Sequence, residues 1–149
     1  MCGFSGFLNF NPSWGDPLTL LQQMGDQLTH RGPDDSGVWF DNNCGVGFSH
    51  RRLSIIDLSA QGHQPMSSTS GRFVIAYNGE IYNHQELKKE LLHAGVIFRG
   101  GSDTEVLLAA IECWGIKQTL QRCIGMFAFS LWDKKEQTLS LVRDRIGEK

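Results

Sequence analysis

The chain has 149 residues, of which 40% are hydrophobic and 20% charged, with a formal net charge of −2 at neutral pH. That length suits one domain burying roughly two-thirds of its unfolded surface, and the charge gives no basic surplus for nucleic acid or an anionic membrane. No apolar run nears the ~18 residues of a membrane span, and no basic-then-apolar secretory leader opens the chain. The four cysteines, Cys2, Cys44, Cys113 and Cys123, are too widely spaced for a zinc or disulfide framework, so a reducing, cytoplasmic setting is expected.

In chain order, Gly3 to Phe10 alternates loosely and is expected as a strand. Leu18, Leu21, Met24 and Leu28 recur at helical spacing, which predicts a helix over Pro17 to Gln27 with the proline in its first turn. His30 to Gly37 is loop chemistry. Short strands are expected at Val38–Phe40 and Val46–His50 around a turn at Asp41-Asn42-Asn43. Arg52 to Ile56 continues as a strand or its exit, and Asp57 to Gly71 is a long polar loop of a length that often carries function. Phe73 to Tyr77 is a buried strand, broken at Asn78-Gly79. Asn83 with Glu86, and Ser102 with Glu105, read as capping boxes opening two helices that stop at Gly95 and Gly115. Met126–Asp133 and Thr138–Arg143 form a closing hairpin. Strands, then two helices, then a hairpin describe a layered α+β fold with antiparallel sheets rather than a βαβ alternation.

Several residues invite a chemical reading beside a structural one. Removal of Met1 would leave Cys2 with a thiol and a free α-amine on one residue, and such an amine ordinarily titrates near ~7.7–8.0. That is a nucleophile with its own base. Asn78-Gly79 is the commonest hairpin turn pair; equally, an Asn side-chain N–H beside an unobstructed Gly backbone N–H would make an oxyanion site. Arg52 is either a solvated charge at a strand end or a two-pronged carboxylate grip. Asp103 either complements a helix dipole or anchors a substrate ammonium group. A carboxylate grip, an ammonium anchor, a thiol and an oxyanion site together describe a pocket for an amino acid with a cleavable side-chain acyl group, and glutamine fits. His30 and His63 could form a Cys/His dyad but are more simply loop hydrogen-bonders. Cys113 and Cys123 are expected to be buried and inert.

Seven segments then carry a resemblance: Met1-Cys2-Gly3, His30-Arg31-Gly32-Pro33-Asp34, Arg52-Leu53-Ser54-Ile55-Ile56-Asp57, Gly62-His63-Gln64-Pro65-Met66, Tyr77-Asn78-Gly79-Glu80-Ile81-Tyr82-Asn83, Ser102-Asp103-Thr104-Glu105 and Arg143-Asp144-Arg145-Ile146-Gly147. In this order, from Met1 to Lys149, they resemble the glutamine-hydrolysing domain of class II amidotransferases, in the asparagine synthetase branch. The resemblance implies a four-layer αββα sandwich of the N-terminal-nucleophile hydrolase type. It implies Cys2 as nucleophile, Asn78 and Gly79 as oxyanion hole, Arg52 on the glutamine α-carboxylate, and Asp103 with Glu80 and Gly79 on the α-amino end. Glutamine would be cleaved to glutamate and ammonia through a γ-glutamyl thioester, without a cofactor in this domain.

In that family a segment like Arg143–Lys149 leads on to further strands and then to an ATP- and Mg-dependent synthetase domain, which uses the ammonia, by default to make asparagine from aspartate. Here no phosphate-binding glycine loop appears, so residues 1–149 are expected to be a glutaminase domain, incomplete at its C-terminal end, whose partners are L-glutamine and a synthetase domain or chain. The alternative expectation is a non-catalytic fragment acting only as a binding or interaction module.

Overall fold

The computed structural model describes residues 1–54 and 60–149. The described residues form two antiparallel sheets. In the first, β1 (Gly3–Phe7) and β2 (Asp35–Asp41) flank β3 (Val46–Arg52). In the second, β4 (Met66–Ser67), β5 (Phe73–Ile81), β6 (Gly125–Asp133) and β7 (Thr138–Arg143) lie in that order. Helix α1 (Pro17–Asp26) covers the outer face of the first sheet, and α2 (His84–His93) and α3 (Asp103–Arg122) cover the outer face of the second. The result is the expected αββα layering.

Period-two alternation explains how each strand serves two layers at once. On β5, Phe73, Ile75 and Tyr77 join Leu87, Leu91, Val106, Leu107 and Ile111 in the core beneath α2 and α3. Val74 and Ala76 face the other way, into a smaller core between the sheets with Val46, Phe48 and Trp132. By the same alternation Asn78 and Glu80 face the inter-sheet side, as do Cys2 (two residues before Phe4) and Arg52 (beyond Val46, Phe48 and His50). The register places Gly3 opposite Arg51, so Cys2 and Arg52 leave neighbouring strand ends on one rim of the sandwich. Helix α1 starts at Asp16, whose carboxylate accepts from Thr19 N–H at 2.7 Å, and it buries Leu21 and Gly25 against β3. A side chain at Gly25 would meet Ser49 Oγ at 2.3 Å.

Several boundaries differ from the sequence reading. β5 is not broken at Asn78-Gly79; it continues to Ile81, because Gly79 lies flat against β6, where a Cβ would sit 2.3 Å from the Met126 carbonyl oxygen. The hairpin-turn reading of that pair is therefore wrong. Asn83 does not cap α2 with its side chain. It ties α2 to the end of α3 instead, donating to the Arg122 carbonyl and accepting from Ile124 N–H, both at 2.9 Å. The helix opening at Asp103 does not stop at Gly115. It turns there through a left-handed φ of 76° and resumes to Arg122, held by Thr119 Oγ1 on the Gly115 carbonyl and Arg122 stacked over the Trp114 ring. β1 ends at Phe7 rather than Phe10, and β2 is longer than Val38–Phe40. The polar loop hides a 3-10 turn at Ala60–Gly62 and the short strand β4. Of the Arg52–Ile56 segment, Arg52 ends β3 and Leu53–Ser54 lead away from it; Ile55, Ile56 and Asp57 to Ser59 lie outside the described residues. Cys123 is buried, as expected, and its burial pushes the thiol up to about 11, but Cys113 is exposed because it sits on the solvent side of α3. No helix among the described residues is long and apolar enough to cross a membrane.

Candidate active site

One cleft at the rim between the sheets is lined by Cys2, Arg52, Asn78, Gly79, Glu80 and Asp103, together with Gln64, Leu53 and Met1. Every candidate site residue of the sequence reading is brought to it. His30 and His63 do not line it; both are exposed, and His63 is paired with Asp35 at 2.8 Å.

The segments with loop character turn out to build this rim. Arg31 donates from Nε to the Cys2 carbonyl at 3.1 Å and so fixes the chain start. Gly32 passes so close to β3 that a Cβ would lie 2.4 Å from the Arg51 backbone. Asp34 donates from its backbone to the Arg52 carbonyl and accepts Ser54 N–H on its carboxylate, at 3.0 and 2.8 Å. The two neighbouring arginines part by alternation. Arg51 turns outward to the end of α1, where it meets the Gly25 carbonyl at 3.2 Å and pairs with Asp26. Arg52 turns inward, is 8% exposed and rests on Gly62, where any Cβ would collide with its Nη2 at 2.0 Å. The solvated-charge reading of Arg52 is therefore wrong. Cys2 is half-buried; its Sγ accepts from Leu53 N–H at 3.3 Å and lies 3.7 Å from the Leu53 carbonyl. The N–H is a donor that stays paired when the sulfur carries negative charge.

Asp103 opens α3 in the first turn that Ser102 caps through Glu105 N–H at 3.2 Å. Its Oδ2 accepts from the Tyr77 hydroxyl at 2.8 Å and from Ile81 N–H at 2.9 Å, so the carboxylate is clamped between helix and strand at 5% exposure. The Tyr77 hydroxyl is pushed well up, first by burial and then by this carboxylate. Helix-dipole complementarity and a second, tertiary job coexist at Asp103, and Oδ2 is the oxygen already engaged.

Gln64 on the cleft and His50 between the sheets both escaped the sequence reading as individuals. Gln64 is 4% exposed and accepts Tyr77 N–H on Oε1 at 2.7 Å. His50 is 1% exposed between the sheets, with Nε2 2.8 Å from the Tyr77 carbonyl. A carbonyl only accepts, so Nε2 carries the proton, and Nδ1 is a buried acceptor without a hydrogen-bond partner among the described residues. The available signal was a histidine at the inward position after Val46 and Phe48. Burial lowers the His50 imidazole from 6.5 to about 4, against a smaller opposing effect of the Tyr77 carbonyl. Between those values the unfolded chain holds a proton that the folded chain does not, so stability falls as pH drops through this window. The expected loss at this one residue is about 3 kcal/mol. Denaturant unfolding at pH 7 and pH 4.5 should show a larger acid loss in the native chain than in His50→Gln; equal losses would contradict it.

The family described as glutamine amidotransferase domain matches over residues 1–149. The chain is 43% identical to asparagine synthetase (glutamine-hydrolyzing) 1 of Bacillus subtilis and 40% identical to asparagine synthetase (glutamine-hydrolyzing) 3 of the same organism. Both matches cover the whole chain but only 23% and 24% of those proteins, so the chain spans about a quarter of the length of these relatives. It is also 38% identical to amidase chry2 of Gibberella zeae, over 23% of that protein. Among solved structures, the glutamine phosphoribosylpyrophosphate amidotransferase of B. subtilis superposes with a TM-score of 0.66 at 21% identity, covering 90% of this chain and 35% of that one, which places the sandwich in the N-terminal-nucleophile hydrolase fold. With the match spanning every residue from Met1 to Lys149, the chain belongs to the glutamine amidotransferase domain family.

Proposed function

We propose that this domain hydrolyses L-glutamine at Cys2 and supplies the ammonia to an ATP-dependent synthetase unit of the kind its longer relatives are named for, with asparagine made from aspartate as the default outcome. The observation that carries the reading is the convergence of a thiol, a carboxylate grip, a carboxylate anchor and paired amide donors on one cleft. Arg52 takes the substrate α-carboxylate, while the Asp103 oxygen not engaged by Tyr77 and Ile81, with Glu80 and Gly79, takes the ammonium group. The side-chain amide then reaches Cys2. Attack forms the S–C bond, the amide oxygen gathers charge beside Asn78 and Gly79, and each such donor contributes ~2.7–4 kcal/mol to the transition state. The thiol proton, taken up by the free Cys2 α-amine, passes to the leaving nitrogen as the C–N bond breaks and ammonia leaves; water then adds to the γ-glutamyl thioester, the S–C bond breaks, and glutamate departs with the thiol restored.

Met1 bears on the base. While it is attached, the Cys2 nitrogen belongs to a peptide bond and has no basic lone pair; its removal creates the base and opens the side of the cleft it lines. All four thiols are free, which supports a reducing, cytoplasmic setting. We read residues 1–149 as one glutaminase domain. Leu141 on the edge strand β7 is 76% exposed, which supports further strands covering it in the longer protein.

The test is intact mass after incubation with a glutamine-shaped diazo-ketone. A species lacking Met1, carrying one adduct on Cys2 and protected by excess glutamine, is the expected result. Loss of Met1 without an adduct would point instead to a non-catalytic module.

A further inference from the structure

Strand β5 has two edges, and only one is fully paired. Residues 74, 76, 78 and 80 turn their backbone groups toward β6, as the bond from Tyr82 N–H to the Ile124 carbonyl continues the pattern. Phe127, which faces Gly79, spends its own N–H and carbonyl on Asp144. The odd residues therefore turn to the opposite edge, which β4 covers only at Val74 and Ile75. Beyond that point, among the described residues, side chains rather than a strand meet this edge. Tyr77 N–H goes to Gln64 Oε1 and its carbonyl to His50 Nε2, while Ile81 N–H goes to Asp103 Oδ2. Between these tied residues lies Gly79, whose N–H faces the cleft beside Cys2.

We propose that His50 and Gln64 are positioning residues for catalysis: by holding both the N–H and the carbonyl of Tyr77 on this edge they set the direction of the Asn78 side chain and the Gly79 N–H toward the reacting amide oxygen. The inference rests on the glutaminase reading of the site. A leucine would fill the space of His50 between the sheets without leaving a buried Nδ1 acceptor unpaired, so the single bond to the Tyr77 carbonyl is what the histidine adds. Gln64 comes from a different segment and acts on the same residue, so the two side chains act through one element rather than as independent stabilisers.

The experiment uses the full chain after Met1 removal and compares His50→Leu, His50→Gln, Gln64→Leu and the double leucine variant. Glutamine kinetics are read beside inhibition by the aldehyde analogue of glutamine. That aldehyde adds the Cys2 thiol across its C=O, forming an S–C bond and placing the thiol proton on the new oxygen, and the tetrahedral product needs the same donors as the transition state. His50→Leu and Gln64→Leu should each lower kcat by about 10²-fold, the scale of a small misplacement of reacting groups. Aldehyde affinity should fall in parallel, with the KM for glutamine within about threefold. His50→Gln, which still presents an N–H, should recover to within about fivefold, and the double variant should be little worse than either single one. Should His50→Leu not fold, as read by thermal melting, the comparison rests on Gln64→Leu and His50→Gln. Unchanged kcat, a rise confined to KM, or a folded His50→Gln as slow as Gln64→Leu would each overturn the positioning role. A native chain that neither hydrolyses glutamine nor takes up the aldehyde would overturn the glutaminase reading itself, and the inference with it.

Discussion

Replacing Cys2 with alanine is expected to abolish glutamine hydrolysis, with kcat falling about 10⁴-fold or more, the scale on which nucleophiles acting within a unit are felt. Three other side chains of nucleophilic type are held elsewhere. The Ser102 hydroxyl is engaged as a helix cap, Tyr77 is held on Asp103, and Cys123 is buried in the core under α3 with its thiol pushed up. The fold should survive, because Cys2 is half-buried and, among the described residues, its side chain hydrogen-bonds only to the Leu53 backbone. Glutamine should therefore still raise the melting temperature of Cys2→Ala while no glutamate is released. Glutamate release at the native rate from that variant would remove Cys2 from the mechanism.

The second large effect is expected at Asp103. Asp103→Ala removes a charged partner for the substrate ammonium group, and a hydrogen bond to a charged group is worth about 1.5–3 kcal/mol. That corresponds to a KM raised roughly tenfold to a hundredfold, with a smaller change in kcat. The same substitution strips the Tyr77 hydroxyl and Ile81 N–H of their shared acceptor, at about 1–3 kcal/mol for each donor left unsatisfied, so the melting temperature should drop as well. Asp103→Asn separates the two roles. Its side-chain carbonyl still accepts from the strand while the charge is gone, so KM should stay high and stability should largely return. A native KM in Asp103→Asn would assign the residue to structure alone.

These outcomes follow from how little of the site is local. The cleft residues lie on β1, β3, β5, the segment before β4 and the start of α3, and of the candidate site residues only Asn78-Gly79-Glu80 are neighbours along the chain; the thiol, the arginine and the aspartate each come from a different element. What made the site legible was chemistry rather than proximity. A second-position cysteine, an Asn-Gly pair, an arginine at a strand start and a capped aspartate each had a structural reading of equal or greater weight. Only the substrate they jointly describe favoured the chemical one.

Periodicity, caps and side-chain chemistry are properties of neighbours along the chain, and they were enough for the α+β class, most of the element types and the helix start at Ser102, and for nominating the candidate reacting groups. The tertiary structure decided what those signals could not. Asn78-Gly79 reads locally as a turn, yet packing of Gly79 on Phe127 keeps β5 extended to Ile81. Asn83 reads as a cap, yet the end of α3 is a better partner for its amide. His50 and Gln64 take partners that no local pattern names, since each bonds to the backbone of Tyr77, 27 and 13 residues away. The physical reason is the same throughout: a polar group buried by folding takes the partner that the packed layers bring to it, and only the assembled sandwich says which one that is.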